Sequence, residues 1–162
     1  MDVNYFQYKI WADKRTLRVI EQSHDAVCSK TRTFLHQQLN HMVIVEELFK
    51  SRLLGLPAPH SKTNTDIVPE FQNLKQRLLA SGSWYIDFLQ YCDDLDRSIQ
   101  FDFTDGKKGR MTKREILFHI VTHGSYHRGN IAHALDLAGV PHPVDGYGVF
   151  IHEIEPQRRH PS

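Results

Sequence analysis

The chain is poor in cysteine. Only Cys28 and Cys92 occur among 162 residues, and they make neither a CxxC pair nor a framework of bridges. That excludes a disulfide scaffold and fits a reducing compartment, so a cytoplasmic location is expected. Long apolar runs are missing too. No segment approaches the roughly 20 residues that span a bilayer, and the N-terminal MDVNYFQYKIWADKR lacks the apolar core of a signal peptide. Charge of one sign is also absent: 20 basic residues stand against 19 acidic ones, for a formal charge of +1. With no basic run, nothing calls for nucleic acid as a partner. No internal repeat or low-complexity tract is present. What remains is 40% hydrophobic and 24% charged, the composition of a soluble globular chain long enough to bury its own core. Residues 1–156 read as one domain and 157–162 as a frayed tail.

Histidine is plentiful, with eleven in the chain. His119, His123, His127 and His133 fall in one stretch, ILFHIVTHGSYHRGNIAHALDL, that reads as a single long helix. Residues four apart stand on the same helix face. His119, His123 and His127 therefore form a stripe roughly 12 Å long at about 1.5 Å rise per residue. An i, i+4 pair can aim two imidazoles at one metal ion, as in helical HExxH sites.

The rest of the chain supplies three more long helical patterns. The first runs from about Val3 to Gln22 and carries Tyr5, Tyr8, Trp11, Ala12, Leu17 and Ile20 at helical spacing. The second covers Thr33 to Leu54, with Phe34, Leu35, Gln38, His41, Met42, Val45, Leu48, Phe49 and Arg52 on one broad face, stopped by Gly55, Pro57 and Pro59. A loop rich in Pro, Ser and Thr follows. The third helix opens near Pro69 and continues to about Cys92, with a kink as one reading of Gly82. Ile99, Phe101 and Phe103 alternate with polar residues, so a short strand and a hairpin turn at Asp105–Gly109 are expected. Thr112 and Glu115 form a capping box that starts the histidine helix, and Gly139 ends it. The apolar residues between Val144 and Ile154 are expected to pack as a short extended piece. The fold class is all-α, a four-helix bundle with a small extended insertion before the last helix.

Bundles build metal sites from side chains facing inward on neighbouring helices. A catalytic zinc-type site takes three protein ligands and keeps a position open. His41 is the best third candidate, mid-helix on an apolar face. A single histidine on such a face is more commonly a hydrogen-bonded core residue, and the coincidence with the i, i+4 pair is what favours metal. His36 points elsewhere and is expected to be exposed, as is His133. His24, His60, His142, His152 and His160 lie in loops or the tail. His119 reads as a supporting residue, since three collinear imidazoles do not converge on one ion.

HIVTHGSYHRGNIAHALDLAGV closely resembles the last-helix signature of the DinB/YfiT-like metalloenzyme family, a pattern like H-x-x-x-H-R-G-x-[IL]. LNHMVIVEELFKSRLLG is similar to that family's second-helix motif, and YKIWADKR to its first. IQFDFTDGKKGRMTKREILFHI is similar to its extended lead into the final helix. The resemblance covers most of the chain in order. It implies an up-down-down-up four-helix bundle and a histidine triad, which maps onto His41, His123 and His127. It also implies a divalent transition metal, commonly nickel or zinc, and a homodimer formed through helices. Wider relatives are transferases or isomerases that use low-molecular-weight thiols. Asp145 is similar to an Asp the family carries after its last helix, although Gly146 and Gly148 depart from the pattern.

Three neutral imidazoles favour zinc, nickel, copper or iron(II) over calcium or magnesium. Such a site can activate a bound water or a thiol. Tyr126 is a candidate proton donor or substrate contact, or a packing residue. Arg128 is a candidate for carboxylate or phosphate recognition, or a helix-surface ion pair. Glu46 and Glu47 are candidates to orient an imidazole, with a solvated face as the commoner fate. The function expected is a metal-dependent enzyme on a small molecule, a hydrolase or a thiol S-transferase. The alternatives are a non-catalytic metal-binding protein and a structural, stress-response bundle.

Overall fold

Thr112 begins the histidine helix with a reciprocal cap. In the computed structural model, which describes residues 1–159, the Thr112 hydroxyl accepts from the Glu115 N–H at 3.2 Å, and Glu115 Oε2 accepts from the Thr112 N–H at 2.7 Å. Two otherwise orphaned amides are satisfied this way. The helix, α4, spans Lys113–Leu137. Gly139 sits just beyond it at φ 70°, a left-handed conformation that a glycine adopts without Cβ strain.

Before it come α1 (Asn4–Gln22), α2 (Ser29–Leu54), α3 (Phe71–Tyr91) and an antiparallel pair, β1 (Ser98–Asp102) and β2 (Lys108–Thr112). After it come α5 (Tyr147–Ile154) and a 3₁₀ turn at Pro156–Arg158. The fold is thus mostly helical with one small hairpin. No helix among the described residues is long and apolar enough to cross a membrane. The expectation of a frayed tail falls in part on residues 160–162, which lie outside the described residues.

Two apolar clusters organise the packing. One joins Phe6, Tyr8 and Ala12 to Val45, Phe49 and Leu53, to Tyr85 and Leu89, and to Ile116–Val121. The other joins Leu17 and Ile20 to Leu35–Val43, Leu74, Leu78, Ile131 and Leu135. The N-terminal halves of α1 and α4 thus meet the C-terminal halves of α2 and α3. Two helices run one way and two the other. Between the clusters every long helix contributes polar or small residues to one layer: Lys9 and Asp13, Glu46, Ser81 and Gly82, and Gly124 and Arg128.

Several expectations change. Helix α2 begins at Ser29, four residues before the apolar periodicity does, because its first turn is polar. Phe34, expected on the inner face, is 38% exposed. Helix α3 runs unbroken through Gly82. A Cβ there would lie 2.7 Å from Ile10 Cγ1, so the glycine provides close approach of α1 rather than a kink. Phe103 falls in the hairpin turn, outside β1. The segment expected to be extended is helical: α5 buries Phe150 and Ile151, and Phe150 packs against the rings of Tyr8 and Trp11. The Gly residues at 146 and 148 hide its helical pattern in the sequence. The hairpin rests on the first cluster through Ile99, Phe101 and Met111.

Candidate metal centre

Helices α2 and α4 run antiparallel in contact, which sets His41 opposite the i, i+4 pair. His41, His123 and His127 each offer one nitrogen, and the three atoms lie within 4.8 Å of one another. His123 Nε2 is 3.1 Å from both His41 Nε2 and His127 Nε2.

The outer nitrogens decide what the inner ones present. His41 Nδ1 lies 2.7 Å from the Thr63 carbonyl, which can only accept, so Nδ1 carries the proton. His127 Nδ1 lies 2.7 Å from Gln38 Oε1, and Asn130 Nδ2 donates to that same oxygen at 3.3 Å. In the neutral rings of His41 and His127 the Nε2 atoms are therefore bare lone pairs. Both face His123 Nε2, which has at most one proton to give. Within the cluster at least one inner lone pair therefore meets no donor, and His123 Nδ1 is buried without a partner. Metal–imidazole bonds of about 2.0–2.1 Å hold neighbouring ligand nitrogens roughly 2.9–3.4 Å apart between right-angle and tetrahedral geometry. The observed spacing and the donor set fit a transition-metal ion.

Protonation does not fill the gap easily. Burial, then the proximity of His127 and His41, pushes the His123 imidazole down to about 3. Burial and His41 push His127 down to about 4. His119 continues the stripe, its ring 5.3 Å from that of His123 and 5.0 Å from Phe49. Burial and the Arg52 charge lower its pKa too. It belongs to no group of gathered ligand atoms among the described residues.

The remaining candidates separate sharply. Tyr126 is 68% exposed, its ring edge-on to His127 at 5.1 Å. Arg128 is not a helix-surface residue: it is 2% exposed. Its guanidinium bonds Asp13 Oδ1 at 2.9 Å and Asp145 Oδ2 at 2.7 Å, and donates to the Tyr8 hydroxyl at 3.3 Å. Asp145 thus ties the chain after α4 to this arginine. Glu46 is not solvated either. It lies wholly buried, 2.8 Å from Lys9 Nζ, and accepts from Ser81 Oγ at 2.6 Å. Lys9, also wholly buried, reaches Asp13 Oδ2 at 2.7 Å. Burial pushes the Glu46 carboxyl up, countered in part by the Lys9 ammonium. Burial opposes the Lys9 charge, yet Asp13 and Glu46 hold it raised. A Cβ at position 124 would stand 3.6 Å from Lys9 Cε and 3.0 Å from Arg128 Nη1, so Gly124 makes room for both cations. Glu47 bonds Arg77 at 2.6 and 2.9 Å and His60 at 2.5 Å, away from the imidazoles. His36 is half-buried on the Phe71 ring rather than exposed, and His133 is exposed as expected.

Sequence reasoning missed this ion network. A signal existed: positions 6, 9, 13, 17 and 20 share one helix face, which places Lys9 and Asp13 between Phe6 and Leu17.

The model of the DinB family matches residues 1–159. A relative, "Protein DinB" of Bacillus subtilis (strain 168), is 23% identical over 158 residues, covering 90% of this chain and 91% of its own. No solved structure matches significantly.

Proposed function

The chain belongs to the DinB family, and from that premise we propose that it is a divalent-metal protein whose ion is held by His41, His123 and His127. The four long helices form the bundle that carries the site. One observation supports this above the others: three imidazole nitrogens converge, two with their protons committed to Thr63 and Gln38, so that their lone pairs point at one another. Zinc and nickel suit that donor set.

A bound ion of this kind supplies Lewis acidity and lowers the pKa of a coordinated water or thiol. The chain's own residues do the rest. Thr63 and Gln38 orient two rings, and burial keeps the His123 and His127 imidazoles neutral. The exposed Tyr126 phenol stands beside His127, where a small molecule would approach. Only three protein ligand atoms gather here among the described residues, which favours an open coordination position over a closed structural staple. The reading is a metal-dependent enzyme on a small molecule, a hydrolase or thiol S-transferase with a low-molecular-weight thiol as partner. The protein acts as a homodimer in the cytoplasm.

Metal content by mass spectrometry on untagged protein tests the centre. Wild type is expected to carry about one transition ion per chain and His36→Ala the same, with His41→Ala and His123→Ala empty. A wild type that stays empty after reconstitution with zinc and nickel, or equal content in all variants, defeats the assignment.

A further inference from the structure

The connection between α2 and α3 holds no helix or strand, yet it is tied down at three levels. At one end His60 meets Glu47, which also grips Arg77 of α3 with both carboxylate oxygens. At the other, the wholly buried Asn40 donates from one amide nitrogen to Asn64 Oδ1 and to Thr65 Oγ1, each at 2.7 Å. Asn64 Oδ1 also accepts from the Thr65 N–H at 3.0 Å, and Thr65 Oγ1 donates to the Ile67 carbonyl at 2.7 Å. Between these ties the Thr63 carbonyl receives the His41 Nδ1–H.

A carbonyl accepts and never donates, so its position selects one tautomer of the ring it meets. It has no side chain of its own to hold it there. Asn64, the next residue, is the anchor, and its partner Asn40 directly precedes His41 on α2. One helical step therefore fixes both the imidazole and the loop that orients it.

We propose that residues 60–67 are a clasp over the metal centre, in which Asn40 and Asn64 are positioning residues. They place the Thr63 carbonyl so that His41 keeps its proton on Nδ1 and offers Nε2 to the ion. This deepens the metal-centre reading above and rests on it. Partners that orient a ligating histidine change metal affinity by about 10- to 100-fold when removed.

The test compares full-length wild type with Asn64→Ala and Asn64→Asp. Asn64 is half-buried in the loop, and a carboxylate at this position retains both bonds that Oδ1 accepts and gives up only the long 3.5 Å bond from Asn64 Nδ2 to the Gln37 carbonyl. Zinc affinity is read by competition with a chelating dye. The His41 tautomer is read from long-range ¹H–¹⁵N NMR on the metal-free chain. Asn64→Ala is expected to weaken zinc by about 10- to 100-fold and to give His41 mixed-tautomer signals. Asn64→Asp is expected to hold wild-type affinity and tautomer. The clasp is overturned if Asn64→Ala leaves the zinc affinity or the His41 tautomer at the wild-type value, or if Asn64→Asp falls as far as Asn64→Ala. If wild type takes up no zinc, the metal-centre reading fails, and the tautomer comparison alone then supports or overturns the clasp.

Discussion

His127 and Arg128 are neighbours on α4 and serve two polar interiors that differ in kind. On the Arg128 side, Lys9, Asp13, Glu46, Arg128 and Asp145 alternate in sign, and each ionised group has a counter-charge within 3 Å. On the His127 side, three rings of one chemical type face each other through their Nε2 atoms. The first interior is complete as the chain folds it. Under the proposed function the second is completed by a bound ion. The contrast is between a deeply buried cluster whose charges are matched within the chain and a half-buried one whose inner lone pairs are not.

The largest expected effect breaks the closed side. Lys9→Met leaves Glu46 and Asp13 buried beside each other without their shared cation. Stability in urea should fall by about 3–5 kcal/mol, the scale for unpairing a buried ion. Adding Glu46→Leu should recover part of that loss, because the stranded carboxylate is gone. A Lys9→Met variant as stable as wild type would show the network to be dispensable.

A smaller effect sharpens the open side. Folding lowers the His123 and His127 pKa values to about 3 and about 4, against about 6.5 in the unfolded chain. Between those limits the unfolded state binds more protons. Stability of the metal-free protein is therefore full above about pH 6.5 and is lost as pH falls toward 4, with a slope up to about 1.4 kcal/mol per pH unit for each ring. Denaturation at a series of pH values checks it. His123→Ala should flatten the slope, whereas Lys9→Met should retain most of it. The same depression means protons compete weakly for the ligand nitrogens, so metal release should be centred below pH 6.5.

The smallest effect lies at the rim. Tyr126→Phe should leave metal content unchanged and stability within about 0.5 kcal/mol, as for an exposed side chain. A drop in metal content on this change would mean that the phenol belongs to the centre.

The sequence made the long helices and the triad legible because both are written in side-chain spacing. Thr112 and Glu115 announced the start of α4, and the four-residue step from His123 to His127 announced the pair. Other features have no such script. The Thr63 carbonyl is a backbone group, identical in every residue type. Gln38 and Asn130 are common surface residues until α2 and α4 come together. Glu46 read as solvent-facing because burying it alone is unfavourable, and only the fold supplies the Lys9 partner that makes it tolerable. Helix α5 escaped because its two glycines imitate a loop.

His119, His123 and His127 contain two overlapping pairs at the same four-residue step. A slide of α2 along α4 by one turn, about 5.4 Å, would set His41 against His119 and His123 and rebuild a triad of the same composition. The imidazoles alone thus leave the register of the two helices degenerate. Asn130 lifts that degeneracy: it donates to the Gln38 oxygen that meets His127, and its counterpart one turn earlier on α4, position 126, is a tyrosine. The asparagine is an index mark on a sliding scale, present in one of the two settings and absent from the other.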